Sequence, residues 1–314
     1  MEIPVIKNIM KSERDSQSPR RLQDNLTIVL FLVPAVVLFL VFLVYPIFRS
    51  VYFSLFNWNG LGPAVDFVGL DNFKQILTDK IFVKAVGDCF LIVVLSLGIQ
   101  LPLALALAIM VGRDLPGRAI FRTIFFLPYV LSEVITAIIW MSLFSADPER
   151  GLINAILILI PGVQPQNFLS DIHQVLLCVF VVLTWKYFGL HMLLYLAGLQ
   201  NIPKEIEEAA LIDGANKWQL TKNITIPLLG GTIRTTIYLS VLGSLTQFNL
   251  VWIMTKGGPV NASEFMATYM YRFAFVRFLL GYGSAVALVM LLICLAFSIV
   301  YLRLARQPDY LGSM

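Results

Sequence analysis

A stripe of small and polar side chains runs through an apolar stretch near residue 240 of this 314-residue chain. Thr236, Ser240, Gly243, Ser244 and Gln247 recur at i, i+4, i+7, i+8 and i+11, so a helix would place them on one face. Hydroxyl and amide groups on such a face can line a watery path and form hydrogen bonds with the hydroxyl groups of a solute. The stripe also fits a packing role, because small residues let membrane helices approach closely. The pattern alone leaves both interpretations open.

Lys186 is an ionisable residue inside a second apolar stretch, in the string TWKYFGLHM. A charged group deep in a membrane span is costly, and it faces a partner or a water-filled cavity. Lys186 can therefore bind a substrate, pair with Glu133 or Asp88, fix helix packing, or extend its ammonium group to the membrane interface. The sequence leaves these alternatives open.

The remaining residues offer no arrangement for catalysis or metal binding. His173 and His191 have no neighbours at metal-ligand spacing, and the three cysteines have neither ligand-like nor disulfide-like spacing. We find no nucleophile with a base and an orienting group, and no GxxxxGK[ST] stretch to cradle the phosphates of ATP. The sequence therefore predicts no catalytic residue, no metal site and no cofactor bound by this chain.

The elements that carry these residues are predicted to be membrane-spanning helices of an all-α integral membrane protein. Hydrophobic residues make up 58% of the chain and charged residues 13%, against roughly 45–50% and 25% in soluble domains. The apolar residues fall in runs long enough to cross a hydrocarbon core of about 30 Å as helices. The six predicted spans are 26–48, 88–111, 119–144, 174–199, 228–252 and 281–302.

The distribution of lysine and arginine predicts the orientation of these spans. Cytoplasmic segments carry an excess of these residues, and here they concentrate in residues 1–25 and in the short loop GRDLPGRAIFR. We therefore expect cytoplasmic termini, with tails at 1–25 and 304–314 flanking a six-span domain at 26–303. The net charge of +4 fits a basic inner face against anionic lipid and indicates no nucleic-acid partner.

Two predicted external segments are long enough to contain short helices. Residues 49–87 include FVGLDNFKQIL, which is typical of an amphipathic helix along the membrane surface. Residues 145–173 include GLINAILILIPG, which is too short to span and predicts a re-entrant or interfacial helix.

The connection between the fourth and fifth spans, residues 200–227, is longer than a minimal linker and is predicted to be cytoplasmic. Pro203 can open a helix, and acidic residues follow in its first turns, where the helix dipole favours negative charge. Gly214 ends or bends this helix before a second one, NKWQLTKNI. A short, rigid, exposed helix can transmit force from a soluble partner, and it can equally be an ordinary amphipathic connector.

The same loop resembles the cytoplasmic signature of binding-protein-dependent ABC importer permeases. The resemblance rests on residues at the family's spacing: Glu208, Ala209, Ala210, Asp213, Gly214, Ala215, Ile224 and Pro227. Ile226 departs mildly from the leucine that usually precedes this proline. Other strings are similar to the subgroup that imports oligosaccharides, the maltose-type sugar permeases: FVGLDNF, FRTIFFLP, LAGLQNIP and TKGGP.

The resemblance implies a type I ABC importer permease with a cytoplasmic coupling helix, and a division of labour among chains. A second homologous permease subunit would complete the pore, and an extracytoplasmic solute-binding protein would deliver a sugar. Two cytosolic ATPase subunits would use ATP and Mg and receive the coupling positions, which are Glu208, Ala209, Ala210, Asp213 and Gly214. The chain itself would be a non-catalytic, multi-pass protein of a bacterial inner membrane.

The resemblance also favours the pathway interpretation of the stripe. Sugar-contacting positions of disaccharide importers correspond to Ser240, Gly243, Ser244 and Gln247 on the fifth span and to Leu183, Lys186, Tyr187 and Leu190 on the fourth. Two of the latter four are apolar, so that side of the site has diverged. The predicted substrate pathway comprises Lys186, Tyr187, Leu190, Ser240, Gly243, Ser244 and Gln247. If Lys186 contacts the substrate, a carboxylated or sulfated sugar would fit.

Other functions agree less well with the sequence. Within the same family, import of amino acids, phosphate or peptides is the alternative to sugars. A stand-alone channel or secondary transporter would leave the loop signature without a role, and the six spans show no internal repeat. A membrane-embedded enzyme would need a polar catalytic cluster, which the predicted spans do not display.

Overall fold

The computed structural model describes residues 28–112 and 117–305. The predicted tail at 1–25, the C-terminal tail from 306 onwards and residues 113–116 of the basic loop lie outside the described residues. Within the described ranges the regular structure is helical, apart from an isolated bridge between Phe56 and Phe67. The prediction of an all-α chain is confirmed.

The described helices include five segments that are long and apolar enough to cross a membrane, and a bent pair that adds a sixth if it counts as one span. In chain order the helices are α1 (Ile28–Ser54), α2 (Asp71–Thr78), α3 (Lys80–Gly112), α4 (Arg118–Val130), α5 (Glu133–Leu143), α6 (Leu152–Leu157), α7 (Val175–Gln200), α8 (Lys204–Ile212), α9 (Lys217–Leu220), α10 (Gly230–Thr246), α11 (Asn249–Met254), α12 (Met266–Tyr271) and α13 (Leu280–Leu304). The predicted six crossings agree with this arrangement when α4 and α5 are taken together.

The third span is not the continuous helix predicted at 119–144. The chain bends by 98° between α4 and α5. Pro128 lies near the end of α4 and lacks the N–H that would bond to the preceding turn. Ser132 then caps α5, because its hydroxyl accepts a hydrogen bond from the N–H of Val134 at 3.2 Å. A proline and a helix cap close together thus end one helix and begin another.

The second span begins at Lys80, two turns before the predicted start at 88. Asp79 caps this end, since its carboxylate accepts hydrogen bonds from two backbone N–H groups of the first turn. Lys84 and Asp88 form an ion pair one turn apart on the same helix. The charged side chains of these first turns lower the local hydropathy, which is why the apolar run alone missed them.

The fifth span, predicted as one helix at 228–252, is interrupted at Gln247 and Phe248, between α10 and α11. Two hydroxyl side chains just before the break bond back to the preceding turn, Ser244 to the carbonyl of Ser240 at 2.9 Å and Thr246 to that of Leu242 at 2.8 Å. Such bonds compete with the helical backbone and bend helices.

The two predicted external helices are present as short elements. The amphipathic string within 49–87 forms α2, and the apolar string within 145–173 forms α6. Their depth relative to a membrane remains a prediction.

Glycines allow the closest helix crossings of the bundle. A β-carbon added to Gly189 of α7 would overlap the carbonyl of Phe125 in α4. A β-carbon on Gly281 of α13 would likewise overlap the carbonyl of Phe56. These crossings hold α4 against α7, and α13 against the segment after α1, at backbone contact.

The segment between α11 and α12, residues 255–264, is partly buried, most of all at its end, and is called the braced loop below. Glu264 is fully buried, and the guanidinium of Arg272 lies 2.5 Å from its carboxylate. The same guanidinium donates to the side chain of Asn261 at 2.6 Å and to the carbonyl of Lys256 at 2.7 Å. Both of these residues have positive φ, a conformation that non-glycine residues keep only when their surroundings impose it.

Further hydrogen bonds tie this end of the bundle to the start of α3. Lys84 donates to the carbonyl of Ala262 at 3.1 Å. Tyr269 donates to the carboxylate of Asp79 at 2.7 Å, and the hydroxyl of Tyr282 lies 2.7 Å from that of Tyr269. Burial, together with these two partners, raises the pKa of the Tyr269 phenol, which therefore stays protonated and donates to Asp79. Since Tyr269 has one hydrogen to give, Tyr282 is the donor in the second bond.

Candidate functional site

A cavity of about 400 Å³ lies among α3, α7 and α10, beside the breaks that separate α4 from α5 and α10 from α11. Hydroxyl, amide, aromatic and aliphatic side chains line it together. Six of the seven residues of the predicted pathway are among them: Tyr187, Leu190, Ser240, Gly243, Ser244 and Gln247. The cavity therefore brings together side chains of the fourth and fifth spans that lie about 50 residues apart in sequence.

Both helix breaks open onto this cavity. Glu133 is the first residue of α5, while Gln247 and Phe248 form the break of the fifth span. In a membrane, irregular backbone is tolerated where it is buried in protein or lines a polar cavity. Discontinuous helices mark the solute sites of many transporters for the same reason. The breaks thus indicate that these segments face the cavity rather than lipid.

Two buried polar atoms of the cavity lining have no hydrogen-bond partner within the described part of the chain. They are the side-chain nitrogen of Gln247 and Nδ1 of His191, and both residues are more than 90% buried. An unpaired buried polar atom costs free energy. These two atoms therefore favour a polar ligand in the cavity. The His191 ring, for which the sequence predicts no metal or catalytic role, borders the cavity.

Lys186 is placed differently from the other predicted pathway residues. It lies outside the 400 Å³ cavity and lines an adjoining groove of about 550 Å³. Its ammonium donates to the backbone carbonyls of Pro128 at 3.1 Å, of Tyr129 at 3.0 Å and of Leu131. These carbonyls lie at the end of α4, where a helix leaves acceptors unpaired and its dipole favours a cation.

Neither of the carboxylate pairings predicted for Lys186 is present among the described residues. Asp88 pairs instead with Lys84, and Glu133 accepts a hydrogen bond from the hydroxyl of Tyr187. The alternative in which Lys186 fixes helix packing describes its contacts best, because it bonds α7 to the end of α4. Sequence reasoning considered carboxylate partners and overlooked backbone carbonyls, which become available only where a helix breaks.

One member of the original stripe, Thr236, does not reach the cavity. Its hydroxyl lies 2.8 Å from that of Tyr195 on α7, and the side chain is fully buried. The lower part of the stripe therefore serves helix packing, and the upper part lines the cavity. Only the packing role of Thr236 follows directly from these contacts; the pathway role of the other four residues stays a prediction.

Several lining residues were not predicted as part of a site. Ser96 and Gln100 of α3 border the cavity, as do Glu133 and Asn249. The first two are four residues apart within an apolar run, and this spacing is a signal that could have identified a polar face on the second span. Asn249 and Glu133 follow helix breaks, and the sequence provided no comparable signal for those.

The predicted coupling residues lie on and after α8, in a segment of residues 203–220 that we call the exposed loop. α8 follows Pro203 and ends in a Schellman motif, with the N–H of Ala215 bonded to the carbonyl of Ala210 at 3.0 Å. Gly214 occupies the left-handed position of this motif at φ 87°. Of the predicted coupling positions, Ala210 is buried, while the others are exposed: Glu208, Ala209, Asp213 and Gly214.

Large apolar side chains also project from the exposed loop. Ile212 is 86% exposed at the end of α8, and Trp218 is 71% exposed on α9. Asn216 caps α9, accepting from the N–H of Gln219 at 2.9 Å while the Gln219 side chain accepts from the N–H of Asn216 at 2.8 Å. A rigid helix pair that displays apolar groups next to acidic ones has the character of a protein-binding surface.

Fold and cavity together define the class of protein, a multi-pass helical membrane protein with a solute-sized cavity of mixed polar and apolar lining at two broken spans. Residues 100–309 match the family described as binding-protein-dependent transport system inner membrane component. A probable ABC transporter permease protein of Pyrococcus horikoshii is 35% identical over 90% of this chain and 97% of its own. The lactose transport system permease protein of Rhizobium radiobacter is 34% identical over 88% and 93%.

A solved structure has the same fold. It is the crystal structure of a bacterial ABC transporter involved in the import of the acidic polysaccharide alginate, with a TM-score of 0.81 at 22% identity. The match covers 93% of this chain and 99% of the solved one. The chain belongs to the family of binding-protein-dependent ABC transporter permeases, so the resemblance drawn from the sequence is confirmed.

Proposed function

We propose that the chain is the transmembrane permease subunit of an ATP-driven importer for sugars or oligosaccharides. The observation that carries this proposal is the cavity, which presents hydroxyl, amide and aromatic groups around an uncharged face of α10. Sugars offer many hydroxyl groups and apolar ring faces, and such a lining matches both. The lactose permease relative and the alginate importer support a carbohydrate over an amino acid, a phosphate or a peptide.

The energy for transport comes from other chains in this proposal. A second homologous permease completes the path, two cytosolic ATPase subunits use ATP and Mg, and an extracytoplasmic binding protein delivers the sugar. The exposed loop supports this division, since it presents Glu208, Ile212 and Trp218 on a stiff, capped helix pair. A stand-alone channel or secondary transporter would give that surface no partner.

The same proposal sets the topology. The exposed loop faces the cytosol and the braced loop faces outward, with both termini cytoplasmic in a bacterial inner membrane. The predicted coupling positions Glu208 to Gly214 then meet the ATPases. The predicted pathway residues Tyr187, Leu190, Ser240, Gly243, Ser244 and Gln247 meet the sugar, while Lys186 supports the site from the adjoining groove.

Reconstitution of the complete importer in proteoliposomes tests this function. We expect uptake of a sugar, dependent on ATP and on the binding protein, and we expect Gly243→Leu to abolish it. Gly243 lines the cavity and a β-carbon there meets nothing within 4 Å, so the larger side chain is expected to occupy cavity space. Gly98→Leu is the matched control, because Gly98 is equally open and lies outside the cavity lining. Uptake of amino acids, phosphate or peptides but of no sugar would overturn the proposal.

A further inference from the structure

Glu133 gives the cavity its charge. It is the only aspartate, glutamate, lysine or arginine among the described residues that line the cavity. The same side chain also borders the adjoining groove, so it stands where the two spaces meet. It is the first residue of α5, at the positive end of the helix dipole.

The carboxylate is oriented, and it retains capacity to accept hydrogen bonds. The hydroxyl of Tyr187 donates to Oε1 of Glu133, which fixes the side chain against α7. A carboxylate has about four acceptor sites on its two oxygens, so a single donor leaves most of them open. Hydroxyl groups of a bound sugar are suitable donors, and hydrogen bonds to an ionised acceptor are stronger than neutral ones.

No cation of the lining balances this charge. Lys186 borders the adjoining groove together with Glu133, and its charge interacts with that carboxylate. It lies outside the cavity lining, however, and its three N–H groups donate to three carbonyls at the end of α4. It also forms no ion pair with Glu133 in the described part of the chain. A carboxylate or sulfate brought into the cavity would therefore meet a fixed negative charge at low dielectric.

We propose that Glu133 is the residue that selects the charge of the solute, and that it makes the cavity a site for neutral sugars. Glu133 accepts hydrogen bonds from sugar hydroxyls, and the buried side chains of Gln247 and His191 offer further polar groups to the sugar. Acidic sugars are rejected by like-charge repulsion, which is a means of specificity that requires no additional contact. The inference rests on the proposed function, and it differs from the possibility that a substrate-contacting Lys186 would favour a carboxylated or sulfated sugar.

The fold does not decide this selection. The solved importer of the acidic polysaccharide alginate has the same fold, so the charge preference must reside in side chains. In the present chain the side chain that meets the solute is an acid.

A matched substrate series tests the selection on the unaltered importer. The reconstituted complex with its binding protein is given neutral gluco-, galacto-, xylo- and arabino-oligosaccharides of two to five units, and galacturonate and mannuronate oligomers of the same lengths. We expect a neutral oligomer to stimulate ATP hydrolysis and uptake, and every uronate to give less than a tenth of that rate. A uronate that outperforms all neutral oligomers would overturn the inference and leave the proposed function intact. Stimulation by no member of either series would contradict the proposed function itself.

Substitution of Glu133 then tests whether this residue causes the preference for neutral sugars. With the best neutral oligomer, Glu133→Gln should lower uptake roughly 10-fold, the size of losing a charge-assisted hydrogen bond. Uptake of the uronates by this variant should not fall, so the ratio of neutral-oligomer uptake to uronate uptake decreases. Glu149→Gln is the matched control, because Glu149 is exposed on a loop remote from the cavity lining. If Glu133→Gln lowered the uptake of neutral oligomers and of uronates by the same factor, or lowered neither, the assignment would be overturned. An equal decrease would indicate a merely structural role for Glu133. The series on the unaltered importer remains decisive if Glu133→Gln does not fold.

Discussion

The braced loop and the exposed loop flank the two ends of the fifth span, and they are built in opposite ways. The braced loop follows α11 and buries Glu264 against Arg272, with two of its non-glycine residues locked at positive φ by the same guanidinium. The exposed loop precedes α10 and is held chiefly by its own caps, leaving Ile212 and Trp218 in the open. The first is thus part of the folded core, and the second is a surface prepared for a partner.

This difference predicts that substitutions in the two loops affect different properties of the protein, its stability or its transport activity. Substitutions in the braced loop should lower the free energy of unfolding, because buried groups would lose partners. Substitutions on the exposed loop should leave that free energy nearly unchanged and act on transport. The predictions below challenge this separation in order of expected effect.

The largest effect is expected from charge reversal on the exposed loop. Glu208→Lys should reduce sugar uptake and stimulated ATP hydrolysis to background, because the side chain is exposed on the surface proposed to meet the ATPase subunits. Gly214→Pro should do the same, since proline cannot adopt the φ of 87° that closes the Schellman motif. Both are measured as transport in proteoliposomes, alongside the thermal unfolding midpoint in detergent.

Glu149→Lys provides the control for that charge reversal, because Glu149 is similarly exposed in another loop. It should transport normally. Wild-type transport by both exposed-loop variants would end the coupling interpretation, and a collapse of their unfolding midpoints would show that the loop belongs to the core.

The next effect is expected at the buried ion pair of the braced loop. Arg272→Met leaves the fully buried carboxylate of Glu264 without its cation, and breaking a buried pair costs about 3–5 kcal/mol. Arg150→Met is the matched control, since Arg150 and Asp147 form an exposed pair worth about 0–1 kcal/mol. Denaturation of the purified chain in detergent measures both. Equal stability of the two variants would contradict the view that the braced loop is part of the core.

A smaller effect is expected where α13 packs against the segment after α1. Gly281→Ala places a β-carbon on the carbonyl of Phe56, and overpacking of this kind costs about 1–3 kcal/mol. Gly87→Ala in α3 is the control, because a β-carbon there meets nothing within 4 Å. It should be neutral, or slightly stabilising through the higher helix propensity of alanine. The difference between the two unfolding midpoints is the measurement.

Features whose cause lies within a few residues could be predicted from the sequence. Apolar runs identified the spans, Pro203 and Gly214 marked the limits of α8, and the polar stripe on the fifth span identified residues that line the cavity. Periodicity and cap chemistry are local properties, and therefore a single sequence reveals them.

Features that depend on a distant part of the chain could not be predicted. The sequence offers Glu133 and Asp88 as partners for Lys186. The partners in the structure are three backbone carbonyls at the broken end of α4, 55 or more residues away in sequence. The break itself follows Pro128, and proline within a membrane helix often leaves the helix continuous. The pairing of Glu264 with Arg272 could not be predicted either, because a charged segment between two apolar spans has the hydropathy of a solvated loop.

The smallest effect compares the loss of one hydrogen-bonding side chain in each loop region. Tyr269→Phe removes the donor to Asp79, and Asn216→Ala removes the cap of α9, each worth about 1 kcal/mol. The two substitutions should cost similar free energy but change different measurements. Tyr269 is fully buried and couples α12 to α3, so its loss should lower the global unfolding midpoint. Asn216 is exposed, so its loss should accelerate hydrogen exchange only within residues 216–220. If Asn216→Ala instead shifted the global midpoint as much as Tyr269→Phe, the exposed loop would be part of the cooperative core, and the distinction between the two regions would fail.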